Sequence, residues 1–154
     1  MRIEHLADFE SHLPTVAAWQ QAQFGYLNSS VTLEQRTQKL QLSLQKGRLP
    51  TTLVAVSEDG TLLGAAGILA TTIIHKHLAP WLSAVFVSPQ NRHKGIASAL
   101  SMRAVAEASA MGFGKLYLFT PHNESLYARM GWRTLERSEH NGLPIAIMAR
   151  PTSA

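Results

Sequence analysis

The chain has 154 residues, 45% of them hydrophobic and 16% charged, with a formal net charge of +4 and no cysteine. That balance suits one folded domain over residues 1–154 with a sizeable core and excludes a disordered segment, while the lack of cysteine excludes disulfides, thiolate metal sites and an acyl-cysteine intermediate. No apolar run is long enough to span a membrane and the start, Met1-Arg2-Ile3-Glu4-His5, has no apolar signal segment, so a cytoplasmic protein without a membrane partner is expected.

Residues Ile3 to Leu6 suit a short first strand. Leu13, Val16, Ala17, Gln20, Phe24 and Leu27 then recur at near-helical spacing, with Pro14 placed for a first turn. Asn28-Ser29-Ser30 interrupts. Thr32 followed by Gln35 has the form of a capping box, and Leu33, Leu40 and Leu44 mark one face of a second helix up to Gly47. Glu34, Arg36 and Lys39 read as its solvated face. From Thr51 the period changes: Thr51 to Ser57 is a β-rich run, Glu58-Asp59-Gly60-Thr61 a turn, and Leu62 to Ala70 a second strand, which together make a hairpin. Gly64 and Gly67 within it suggest a bulge or a close backbone approach. Thr71 to Ala79 is a connector carrying His75, Lys76 and His77. His75 and His77 share a side only if that segment is extended, and with no third ligand at matching spacing no metal is expected.

Trp81 to Val87 is an apolar run of strand type that breaks at Ser88-Pro89 and passes through Gln90-Asn91-Arg92-His93-Lys94 before Gly95 opens a helical pattern. Ala97, Leu100, Ala104, Ala108 and Met111 share one face of that helix, and the alanines imply close packing up to the Gly112 stop. Lys115 to Thr120 is a further strand. A helix of this length between two strands gives a parallel pair, with a ligand expected at the strands' carboxyl ends. Ser125 to Met130 is a short helix ended by Gly131, and Trp132 to Glu136 with Ile145 to Arg150 form a last antiparallel pair around Asn141-Gly142. The scattered Lys and Arg residues make no basic stripe with interleaved aromatics, so no nucleic acid partner is expected. Their one tight group, Arg92 to Lys94, lies in the loop before the helix. There Gly95 lets a ligand come close to the backbone, the first-turn N–H groups lack partners, and the helix dipole favours an anion. The loop therefore reads as a phosphate cradle, the plainer alternative being a solvated basic turn.

Arg92-His93-Lys94-Gly95-Ile96-Ala97 resembles the (Gln/Arg)-x-x-Gly-x-(Gly/Ala) signature with which GNAT-superfamily N-acetyltransferases hold the pyrophosphate of acetyl-CoA, and it stands where that family has it, between a strand ending in Val-x-Pro and a long helix. Leu126-Tyr127-Ala128-Arg129-Met130-Gly131-Trp132 is similar to the family's Leu-Tyr-x-x-x-Gly-Phe segment, with Trp132 in place of the usual Phe. The likeness is carried by residues 81–150, and before them only the order of elements agrees. It implies an α/β (α+β) fold with a mixed, mostly antiparallel twisted sheet flanked by helices, a parallel strand pair splayed at the CoA cleft, and acceptor-side helices within residues 9–46. It also implies acetyl-CoA as donor, no metal, and often a homodimer. Arg92, His93, Lys94, Gly95, Ile96, Ala97 and Ser98 would hold the pyrophosphate, and backbone N–H groups of Val85, Phe86 and Val87 would polarise the thioester carbonyl. The family often has an asparagine some seven residues before its tyrosine, whereas here Asn123 precedes Tyr127 by four.

In that family the tyrosine serves as general acid, which would make Tyr127 the catalytic acid; the chemistry has a place for it, because a thiolate departs as an amine attacks the thioester. Read as a residue alone, Tyr127 is equally a core tyrosine with a hydrated hydroxyl. The base that takes the amine proton stays open among Glu124, Glu139, His122, His75 and a water chain. The expected reaction is direct acetyl transfer to a primary amine of a small molecule or peptide, and the lack of acidic clusters weighs against a polycationic acceptor. A non-catalytic CoA-binding module on the same fold is the alternative. A Rossmann-type nucleotide domain is disfavoured by the absence of an N-terminal G-x-G-x-x-G.

Overall fold

The structure is a computed structural model that describes residues 1–72 and 77–153. Its strands are β1 (Arg2–His5), β2 (Thr51–Val56), β3 (Leu62–Leu69), β4 (Trp81–Val87), β5 (Lys115–Thr120), β6 (Arg133–His140) and β7 (Leu143–Pro151). They form one sheet in the order β1-β2-β3-β4-β5-β7-β6. The α-helices are α1 (Leu13–Phe24), α2 (Leu33–Leu42), α3 (Ile96–Ala110) and α4 (Glu124–Arg129). Neighbouring strands are antiparallel except β4 and β5, the parallel pair that the strand–helix–strand spacing predicts. No helix among the described residues is long and apolar enough to cross a membrane. Of the connector histidines, His75 lies outside the described residues, as does Lys76.

The sheet is covered on both faces, which is why every residue of β2 is buried. Because side chains alternate along a strand, Leu53 and Ala55 turn to the core that holds Leu100, Ala104 and Ala108 of α3, while Val54 and Val56 turn to Leu6, Val16, Ala17 and Leu40 beneath α1 and α2. The alanine face of α3 is therefore a close-packing surface, with Ala104 and Ala108 fully buried. A third, smaller cluster of Trp81, Ile145 and Ile147, joined by Tyr117 and Phe119, lies around β5 and β7.

Among the boundaries that differ from the sequence pattern, three have a clear local reason. The capping box at Thr32 and Gln35 is present, yet α2 stops at Leu42 instead of running to Gly47. Ser43 ends it by donating its hydroxyl to Leu40 O at 2.6 Å, and that hydroxyl also lies 2.7 Å from Thr52 Oγ1 on β2. Leu33, at the exposed start of the helix, contributes little to the buried face. The first strand ends at His5, one residue early, and Leu6 enters the core from a 3-10 turn. At the far edge β6 runs to His140 with nearly every residue exposed. An edge strand with neither face covered needs no apolar alternation, so it leaves no periodic signal. Trp132, expected to open that strand, is buried beside Tyr127 instead.

Gly64 marks the close approach that its position in the hairpin suggests. A Cβ there would lie 2.7 Å from Phe86 O on β4 and within 3.3 Å of Leu100 and Ile96 on α3. The contact with a backbone oxygen cannot be relieved by a rotamer change. Gly64→Ala should therefore destabilise the fold by about 1–3 kcal/mol, measured by urea denaturation. An unchanged midpoint would show that β3 and β4 separate without cost.

Candidate active site

Pairing between β4 and β5 is confined to one bridge, Trp81 with Tyr117. Beyond it the two strands have no common ladder, so their carboxyl ends stand apart. The cause lies in β4. Ser83 pairs with Gly67 and Phe86 with Ala65, leaving Ala84 and Val85 together opposite Ala66, and Ala84 has a left-handed φ of 53°. An extra residue on one strand is a β-bulge, which bends and twists the strand that carries it. After the bulge the Ser88 N–H donates to Leu63 O on β3 at 2.9 Å. By alternation the N–H of Val87, one residue earlier, faces the opposite edge and opens onto the gap. Of the three residues expected to offer backbone donors, Val85 is released by the bulge and Val87 faces the gap, while Phe86 is bound into the β3 ladder.

The loop after β4 brings the predicted cradle to the same opening. His93 and Gly95 have positive φ angles of 64° and 80° on either side of Lys94, and Gly95 is the N-cap of α3 with no side-chain cap. Ala99 N–H makes the first helical bond, to Gly95 O. The N–H groups of Ile96, Ala97 and Ser98 precede it in the first turn and point out of the helix end, where the dipole favours an anion. A Cβ on Gly95 would meet nothing within 4 Å, so the space over this turn is open. Among the three basic residues Arg92 is placed differently from the others. Its Nε donates to Val87 O at 3.1 Å and its guanidinium lies 5.5 Å from the Phe86 ring centre, whose other neighbour is Trp19 at 4.9 Å. Arg92 thus fastens the loop to β4, leaving His93 and Lys94 exposed at the helix end.

Tyr127 is carried by α4 and is only 7% exposed, packed edge-on to Trp132 at 6.0 Å. Burial pushes its phenol up to about 12, with the nearby Ser101 hydroxyl of α3 holding the shift back. The group is therefore a proton-bearing donor at any physiological pH, as an acid must be. It is a core residue whose phenol lies close to Ser101 of α3.

The open question of the base narrows. Glu124 accepts from both Nη atoms of Arg137 at 2.8 Å and from Thr134 Oγ1 at 2.5 Å, and these bonds hold its carboxyl below the usual range. A carboxylate so committed is a poor proton acceptor. It also lines a cavity of about 140 Å³ at the end of β5 with Thr120, Arg137 and Ser138. Glu139 stands opposite Pro144 on the same sheet face as Arg137, and His75 is outside the described residues. His122 is exposed at the end of β5, with Nε2 3.4 Å from the Tyr26 hydroxyl.

That contact belongs to an arrangement with no local sequence signal. Helix α1 and the 3-10 turn after it, Gly25–Leu27, cross the carboxyl end of the sheet. His12 donates to Gly60 O in the β2–β3 turn at 2.9 Å, Trp19 meets Phe86 on β4, Tyr26 meets His122 after β5, and Leu27 O accepts from Asn141 in the β6–β7 turn at 2.8 Å. His140 adds a ring 6.2 Å from Phe119. Tyr26, His140 and Asn141 are site-side residues that sequence reasoning missed, since each is brought there by tertiary contacts alone.

The model of the acetyltransferase (GNAT) family matches residues 13–132 of this chain. The chain belongs to that family. The acetyltransferase is also similar to solved structures over its whole length. An aminoglycoside 6′-acetyltransferase type Ii superposes with a TM-score of 0.77 at 15% identity, covering 100% of this chain and 99% of that one. The aminoglycoside 6′-N-acetyltransferase from Enterococcus faecium gives 0.75 at 14%, covering 100% and 98%. A spermidine N-acetyltransferase chimera of Vibrio cholerae SpeG and hSSAT gives 0.73 at 16%, covering 99% and 95%. At these identities the likeness is one of fold. Curated protein sequences contain no match to the chain.

The buried phenol has a measurable signature. Because its folded pKa of about 12 is above the ordinary value of 10, the folded state holds that proton longer than the unfolded state does. Stability is unaffected below pH 10 and falls as pH rises through the window up to about 12. Ultraviolet titration should show a late tyrosine step that is missing in Tyr127→Phe. A titration complete near pH 10 would mean that the hydroxyl reaches water.

Proposed function

We propose that this acetyltransferase binds acetyl-CoA at the opening between β4 and β5 and transfers the acetyl group directly to a primary amine of a small molecule or peptide. The observation that carries the reading is the uncapped, left-handed start of α3 at the foot of two parallel strands that have parted. An anion fits there by the chemistry of the donor set: first-turn N–H groups from Ile96 to Ser98, the Gly95 backbone under open space, and Lys94 and His93 beside it. A coenzyme A complex of an aminoglycoside 6′-N-acetyltransferase with the same fold, TM-score 0.73 at 14% identity, supports the choice of ligand.

The donor supplies an activated acyl group on a thiol leaving group. The protein's own part begins with the backbone N–H group of Val87, which faces the gap, and that of Val85, which the bulge leaves out of the β3 ladder; such groups can take up negative charge on the carbonyl oxygen. Such donors, fixed by the sheet, cost no reorganisation when that charge develops. Tyr127, protonated and shielded from bulk water, can hydrogen-bond or protonate the departing sulfur. The acceptor enters from the side of Tyr26, His122 and Asn141, whose groups are aromatic or uncharged polar. Of the carboxylates near them, Glu124 is neutralised by Arg137, and Glu139 is a single exposed charge on β6. That supports an acceptor with a single amine over a polycation, in contrast to the aminoglycosides and spermidine named for the structural neighbours.

Calorimetric titration with acetyl-CoA, free CoA and ADP tests the cradle. Micromolar binding of the first two, tighter than ADP, is expected. Gly95→Val would force a β-branched residue to a φ of 80°, and the strain of about 1–3 kcal/mol should weaken acetyl-CoA binding at least tenfold. Tyr127→Phe should leave that affinity nearly unchanged and lower kcat. Equal binding loss in both variants would remove Tyr127 from the chemistry, and no binding by the wild-type protein would sink the reading as a whole.

A further inference from the structure

We infer that His122 is the base that removes the proton from the acceptor ammonium, and that Tyr26 positions it; the inference rests on the transfer reaction proposed above. Tyr26 follows α1, whose Trp19 packs on Phe86 of β4, and the residue it meets, His122, stands just past the carboxyl end of β5, on the lip of the gap. Its own backbone is fixed by Thr120, a buried residue whose Oγ1 accepts from Asn123 N–H at 3.0 Å and from His122 N–H at 3.4 Å. The imidazole is exposed to solvent, so an incoming amine can reach it.

Its protonation chemistry follows from the Tyr26 contact. With the ring proton on Nε2, the imidazole donates to the Tyr26 oxygen at 3.4 Å and Nδ1 is left with a free lone pair. In that tautomer Nδ1 is the atom that can accept a proton, and the Tyr26 contact, made across 96 residues of sequence, holds the ring in place. Of the other ionisable groups near this end, Glu124 is held by Arg137 and Thr134 and His140 lies against Phe119 and Asn141, while Glu139 is exposed on β6 opposite Pro144. In the step assigned here, an N–H proton of the acceptor ammonium passes to His122 Nδ1. The freed amine lone pair forms the C–N bond, the C–S bond breaks, and the sulfur takes the phenol proton of Tyr127. The nitrogen of the new C–N bond sheds its second proton to solvent, the phenolate is reprotonated from solvent and the imidazolium releases its proton there, so that one proton is set free for each acetyl group transferred.

The test is thiol release from saturating acetyl-CoA with phenethylamine, glycinamide and spermidine as acceptor probes, for wild type, His122→Gln and Tyr26→Phe between pH 6 and about pH 9.5. At neutral pH His122→Gln should lower kcat/KM for the amine about 100-fold, the ordinary size of general-base catalysis, with the acetyl-CoA dissociation constant unchanged within about twofold. The deficit should shrink toward high pH, where the amine arrives already deprotonated, and a merely structural role would not produce that recovery. Tyr26→Phe should show a smaller loss of about fivefold with the same pH trend. A His122→Gln enzyme within about twofold of wild type at every pH, or one equally impaired at every pH, would overturn the assignment. Wild-type protein that binds acetyl-CoA but releases no thiol with any of the amines would overturn it together with the transfer step, leaving the cradle standing. Wild-type protein that fails to bind acetyl-CoA would remove both.

Discussion

The single bridge between Trp81 and Tyr117 is the constraint on which the rest of the site depends. A parallel pair normally extends its ladder along both strands, and here the bulge at Ala84 and Val85 stops that extension after one step. The sheet stays continuous at one end and opens at the other. The groups proposed to carry the chemistry then lie around the opening: backbone donors on β4, the start of α3 behind them, His122 past the end of β5, and α4 with Tyr127 just beyond it. Had β4 remained in register with β5, its outward N–H groups would have been consumed in strand pairing.

Holding strands apart leaves buried backbone groups and apolar surface to be satisfied from elsewhere. Two devices do this. On one face α3 packs its alanines against β2 to β4, and Gly64 lets β3 approach β4 and α3 more closely than any side chain would permit. At the other end α1 crosses the carboxyl edge and is fastened at the β2–β3 turn, β4, the β5 end and the β6–β7 turn. The contacts from His12 and Asn141 are hydrogen bonds to backbone carbonyls, which specify position more than they add stability. A helix held at both ends across an opening sets its width without filling it.

How far the sequence could anticipate this depends on the range of the interaction. Arg92 to Ala97 and Leu126 to Trp132 are local patterns whose geometry is set within one loop and one turn, so the glycine start of α3 and the short helix carrying Tyr127 were readable. The hairpin around Gly60 and the parallel pair followed from period and spacing. The bulge was not readable, because its left-handed residue is an alanine, and no glycine or asparagine marks the place. The commitment of Glu124 to Arg137 and the meeting of Tyr26 with His122 are long-range outcomes of topology. A list of candidate bases drawn from the chain alone had no means of separating a carboxylate held by an arginine from an imidazole left open.

The same distinction bears on what the fold likeness can carry. Structures that superpose on this chain over nearly its full length include enzymes named for aminoglycosides and for spermidine. The fold is shared across that range, so it cannot encode the acceptor. Side chains at the opening are brought there by α1, the β5–α4 loop and the β6–β7 turn. Here those elements contribute Tyr26, His122, His140 and Asn141. A polycation is recognised by carboxylates free to accept its charge, and Glu124 already spends both oxygens on Arg137. The pair works as a tie between α4 and β6, and it takes one of the carboxylates at this end of the sheet out of reach of a cation.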